Sequence, residues 1–195
     1  MRDGLVDVAG WLPLVLAFLL VLGWYLSYSA ARLDRLHHKV ESTRAALDAQ
    51  LVRRCVAALE VASYLDPATG LLLADAAARA LEAGERDAPG PEREEAENDL
   101  SRALDVAFED PQYVGALAGD GTAHEALVVL RQASERAQLA RRFHNEAVSQ
   151  AQRVRRKRVV RWARLAGHAA WPLMLEIDDA PPVGLAPALD ALARR

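Results

Sequence analysis

Between Val8 and Ala31 the chain runs for 24 residues without a charge, VAGWLPLVLAFLLVLGWYLSYSAA. About 20 apolar residues at a 1.5 Å rise cross the hydrocarbon core of a bilayer. In lipid only a helix of this length satisfies its own backbone groups. The stretch therefore predicts a transmembrane helix, with Trp11 near one end and Trp24, Tyr25 and Tyr28 near the other, where interfacial aromatics belong. Pro13 is expected in the first turn, where a missing N–H does least harm. Small residues at Ser27, Ser29, Ala30 and Ala31 leave a cleaved signal peptide as the alternative. The weakly basic start and the long apolar core favour an uncleaved anchor.

Arg32, Arg35, Lys39 and Arg44 follow the stretch, whereas Arg2 before it is balanced by Asp3 and Asp7. The positive-inside rule then places the N-terminus outside and the bulk of the chain in the cytoplasm, as a single-pass membrane protein. The lone cysteine, Cys55, has no intramolecular disulfide partner, which agrees with a reducing compartment. It lies on an apolar line and reads as core.

The rest of the chain reads as all-α. Alanine is abundant and β-branched runs are scarce. Leu33, Leu36, Val40, Thr43, Leu47, Leu51, Cys55, Leu59 and Ala62 recur at steps of three and four, the signature of one helix face. That helix is expected to stop near Asp66-Pro67. A second, capped by Asp66, is expected to end at Gly84, and a third to run from Pro91 to about Phe108. Residues 112 to 121 read as a connector. A fourth and longest helix is expected to start with the capping box Thr122-x-x-Glu125 and to run unbroken to Gly167. A short helix is expected from Ala186 to the end. The predicted architecture is a transmembrane helix followed by an antiparallel four-helix bundle with long first and last helices. Its divisions are a tail at 1–7, the membrane helix at 8–31, the bundle at 32–166 and a C-terminal tail at 167–195.

Three stretches carry a family resemblance. Leu47-Asp-Ala-Gln-Leu-Val-Arg-Arg54 resembles the I-D-V-Q-L-x-R-R segment of the bacterial LemA family. Ala96-Glu-Asn-Asp-Leu-Ser-Arg-Ala-Leu104, followed by Glu109-Asp-Pro-Gln-Tyr113, is similar to that family's A-E-x-x-L-S-x-A-L…E-x-Y-P-x-L region. Ala140-Arg-Arg-Phe-His-Asn-Glu-Ala-Val148 resembles its A-R-R-x-Y-N-x-A-V signature. His144 stands in place of the family's tyrosine, and a basic run replaces its later F-P segment. The resemblance spans about residues 8 to 160. It implies a divergent member, a membrane-anchored helical bundle with no catalytic residue to carry over. The matching positions are Asp48, Gln50, Leu51, Arg53, Arg54, Glu97, Leu100, Arg142, His144, Asn145 and Val148, which read best as residues fixing bundle register.

Charge is strongly segregated. Residues 81 to 110 hold 11 acidic and 3 basic residues, and residues 131 to 164 hold 11 basic and 2 acidic. The densest part of the basic set is Arg153, Arg155, Arg156, Lys157, Arg158, Arg161 and Arg164, with Trp162 among them. In an antiparallel bundle this run returns to where the chain leaves the bilayer, so it is a candidate contact with anionic lipid. No recognisable nucleic-acid fold accompanies it, and no nucleic-acid partner is expected. His37, His38 and Glu41 give an H-x-x-E spacing, but the bundle di-iron pattern needs Glu-x-x-His, which the chain lacks. No metal, cofactor or catalytic residue is expected, and the chain is not expected to be an enzyme. The predicted role is a scaffold or protein/lipid interaction module with an unknown protein partner. The alternative is a small-ligand sensor or an enzyme with an unrecognised site in the bundle.

Overall fold

A computed structural model of the chain describes residues 3–86, 90–163, 166–167, 169–182 and 184–193, with side chains from residue 11 to residue 190. Every regular element among them is helical: α1 (Asp3–Ala62), α2 (Pro67–Glu85), α3 (Gly90–Ala107), α4 (Pro111–Leu117), α5 (Gly121–Arg155), α6 (Arg158–Trp162) and α7 (Leu185–Ala193). The chain divides into two compact units. One holds residues 1–41 and 147–172, the other 42–146 and 173–195.

The larger unit is built on alanine. Cys55, Ala58, Val61 and Ala62 of α1 pack with Leu73, Ala76, Ala77 and Ala80 of α2, Leu100 and Leu104 of α3, and Leu127 and Leu130 of α5. Phe108 is fully buried among them, and α7 contributes Leu185, Ala188 and Leu189. Small side chains let the helix backbones approach closely, which concentrates the apolar contact in a few leucines. Asp66 caps α2, accepting from the backbone N–H groups of Ala68 and Thr69, with Pro67 in the first turn as its sequence predicts. The smaller unit has its own core, in which Leu33 of α1 packs with Val154 of α5 and Val160 of α6.

α1 is the one helix described that is long and apolar enough to cross a membrane, and the protein buries none of its most apolar window. Trp24 and Tyr28 stack with ring centroids 6.2 Å apart.

Several expectations are corrected. Pro13 lies inside α1, because the helix starts at Asp3. α2 continues through Gly84 to a C-cap at Arg86. A Cβ at Gly84 would stand 3.2–3.3 Å from the Arg93 guanidinium, so close packing rather than termination accounts for that glycine. The connector at 112–121 contains α4, capped by Asp110 with Pro111 in its first turn. No capping box forms at Thr122, because Asp120 takes the cap and accepts from both the N–H and the hydroxyl of Thr122. The expected fourth helix ends at Arg155, and Lys157 takes up an extended conformation before the separate α6. A continuous helix would set Arg153 beside Lys157 and Arg155 beside Arg158 on its surface, where like charges at these spacings destabilise it. The short terminal helix does form, as α7, beginning one residue earlier than expected.

Candidate functional site

The motif residues of the larger unit fall into two groups. The first surrounds Glu97, whose side chain is 1% exposed. Its carboxylate lies 3.9 Å from the Arg54 guanidinium and 3.8 Å from that of Arg93. Both distances exceed hydrogen-bonding reach, and neither carboxylate oxygen has a hydrogen bond. Arg93 also lies 3.2 Å from Asp48, and Arg54 donates to the Ser101 hydroxyl at 2.7 Å. Two guanidiniums thus face two carboxylates, one of them, Glu97, in the core and the other, Asp48, 42% exposed. Burial pushes the Glu97 carboxyl above its ordinary range, against the opposing pull of Arg54 and Arg93. Cys55 adjoins this cluster. Burial, then the Glu97 charge, pushes its thiol up to about 12.

The second group holds the chain after α6. Residues 173 to 182 carry no regular secondary structure, and side chains bind their backbone. The Asn145 amide donates to the Leu175 carbonyl and accepts from the Leu175 N–H, both at 3.0 Å. On α3, Glu94 accepts from the N–H of Glu176 and Asn98 from that of Asp178, and Ser101 donates to the Asp178 carbonyl. Arg141 makes a two-pronged pair with Asp179 at 2.5 and 2.8 Å. That hydrogen-bonded pairing raises the guanidinium pKa further. Ile177 is buried against Leu47, Leu51 and Ala137.

The remaining motif positions do other work. Leu51 and Leu100 are core. Gln50 places a buried oxygen without a hydrogen bond, and Arg53 and Arg142 are exposed. His144 is buried with Nδ1 3.5 Å from the Thr43 hydroxyl. Val148 is fully buried in the smaller unit. The sequence reading missed Arg93 and Ser101. Their signal was present, since both sit four residues from Glu97 on one helix face.

In the smaller unit part of the basic run lines a cavity of about 500 Å³. Arg155, Arg156, Val160, Arg161, Gly167 and Trp171 line it. Arg155 donates to the carbonyls of Ala169 and Ala170. The guanidiniums of Arg155 and Arg156 stand 5.1 and 5.9 Å from the centre of the Trp171 ring. Arg153 donates to Ser149. Lys157, Arg158 and Trp162 are exposed, the last at 79%. Arg164 lies outside the described residues. Among the described residues no three or more His, Cys, Asp and Glu stand together as metal ligands. His38 lies 3.4 Å from Glu41 and 3.8 Å from Asp34, on an exposed face.

Comparison with models of known protein families, with curated proteins and with solved structures returned no match.

Proposed function

We propose that the chain is a single-pass, membrane-anchored helical module of the LemA type. In this reading it holds a cytoplasmic helical scaffold against a bacterial cell membrane and recruits a protein partner there. The observation that carries the proposal is α1, whose most apolar window is covered by nothing in the protein. Leu12, Leu14, Phe18, Leu20 and Trp24 would expose their side chains to water unless a bilayer received them. The basic residues after Ala31 support the orientation. The finer arrangement we propose for α1, α2, α3 and α5 is an antiparallel bundle, in keeping with their short connections. The three motif stretches support the LemA likeness, since Arg54, Glu97 and Asn145 all make structural contacts rather than lining an open site. Alkaline extraction of membranes should leave the protein in the pellet, and protease added to intact cells should leave residues 32–195 uncut. Release by alkali, or digestion from outside, would overturn the reading. Cross-linking in intact membranes should then join a specific protein to the cytoplasmic part.

A further inference from the structure

We infer that the cavity at the end of α5 binds a phosphomonoester headgroup of a membrane lipid. The inference rests on the membrane reading above and adds a specific site to it.

The cavity is cationic and uncompensated. Arg54, Arg93 and Arg141 each face a carboxylate in the larger unit. Arg155, Arg156 and Arg161 face none among the described residues, and no carboxylate lines the cavity. Three guanidiniums converging without an anion repel one another, and a bound anion removes that repulsion. The cavity is also built rather than incidental. Through its bonds to the carbonyls of Ala169 and Ala170, Arg155 ties the chain before Trp171 to α5. Trp171, 43% exposed, is held beneath Arg155 and Arg156 by cation–π contact. The side chains of Arg156 and Arg161 make no hydrogen bond or ion pair among the described residues, which leaves their donors for a ligand. Gly167 has φ +54°, a left-handed conformation that other residues rarely adopt, and a Cβ there would meet nothing within 4 Å. Its glycine therefore serves the path of the chain around the cavity and not a tight contact.

Position selects the ligand. Val160, in the wall of the cavity, packs in one core with Leu33. Leu33 follows the last residue of the uncharged stretch by only two positions. At a rise of about 1.5 Å per residue that is one headgroup's depth or less from the end of the span. The exposed Trp162 lies in the same segment, suited to an interface. A phosphate at that level belongs to a lipid. Two free guanidinium forks match a group carrying close to two charges and three terminal oxygens better than a singly charged diester.

The test uses the full chain in neutral detergent micelles, with Trp11, Trp24 and Trp162 replaced by Phe so that Trp171 reports. Short-chain phosphatidic acid, short-chain phosphatidylglycerol and inorganic phosphate are titrated separately. Phosphatidic acid should saturate a Trp171 fluorescence change, with phosphatidylglycerol and inorganic phosphate each about tenfold weaker or more. Arg156→Gln with Arg161→Gln should remove that preference at unchanged helicity, whereas Arg53→Gln should keep it. Equal affinity for the two lipids would mean surface adsorption, and equal affinity for inorganic phosphate would mean a soluble ligand. Either result, or a preference that survives the double substitution, overturns the inference. Alkaline extraction reads the anchoring separately, so the two readings fail independently.

Discussion

Asn145 binds Leu175 as a neighbouring strand would, donating to its carbonyl and accepting from its N–H at 3.0 Å each. A helix side chain thus satisfies both backbone groups of a residue in a segment without regular secondary structure. Glu94 and Asn98 of α3 continue the pattern at Glu176 and Asp178. The Asn145 amide therefore acts as a clamp on the C-terminal chain.

Asn145→Ala should leave both backbone groups of Leu175 without a protein partner and destabilise the larger unit by about 1–3 kcal/mol. Asn145→Asp should recover only part of this, because a carboxylate accepts from the N–H but cannot donate to the carbonyl. Thermal melting in neutral detergent gives the ranking, and limited proteolysis should cut both variants first between residues 170 and 182. Wild-type protection in Asn145→Ala would remove the clamp from the account.

Two glycines should respond to alanine in opposite directions. A Cβ at Gly184 would stand 2.1 Å from the Phe108 carbonyl oxygen, a backbone atom that cannot move aside cheaply. Gly184→Ala should cost about 1–3 kcal/mol by overpacking. A Cβ at Gly115, inside α4, meets nothing within 4 Å. Gly115→Ala should therefore gain roughly 0.5–1 kcal/mol of helix preference. Urea titration of both variants measures the two signs. Equal effects would show that α7 is not seated against Phe108.

The periodicity of leucine and alanine made the helices legible, and the Asp66-Pro67 cap is found where the sequence puts it. The uncharged stretch announced α1. Less local events were not legible. The break after Arg155 needs only a short departure from helix, made among residues that individually favour helix. α4 is seven residues long, too short for a periodic signal, so the glycines around it dominated the reading. Of the candidate sites, Arg54 and Glu97 were recognised by motif, but their meeting across 43 positions of sequence, from 54 to 97, is a tertiary fact. The irregular tail was silent because its partners are side chains on two distant helices and not a pattern of its own. The segregation of charge placed the arginines of the basic run together, but the cavity they line depends on a turn at Gly167.

Cys55 should be chemically inert in the folded protein. It is 1% exposed, and burial together with the nearby Glu97 charge raises its thiol to about 12. The thiolate is the reacting species, so at pH 8 very little is available even to a reagent that reaches it. Labelling with a maleimide should be at least about a hundredfold slower than in denaturant, where the thiol returns to an ordinary value near 8.5. Rapid native labelling would show that α1 and α3 separate readily around residue 55.

The cluster around Glu97 yields the last prediction. Removing one cation should cost more than removing the whole pair. Arg54→Leu leaves a buried carboxylate with only Arg93 at 3.8 Å, and breaking a buried pair typically costs about 3–5 kcal/mol. Arg54→Leu with Glu97→Leu should lose less, because no charge is stranded. The pH dependence follows from the same burial. The folded protein holds the Glu97 proton more tightly than the unfolded chain does, because desolvation outweighs the pull of Arg54 and Arg93. A raised carboxyl contributes stability that is complete below its ordinary value of 4.5 and is lost as pH climbs through the folded value. The stability of wild type relative to Glu97→Gln should therefore be greatest in acid and fall as pH rises from about 4.5. Denaturant titrations of the two proteins across pH 4 to 8 measure that difference directly. A difference that stays flat, or grows with pH, would mean that the attraction of the two guanidiniums outweighs the desolvation of Glu97.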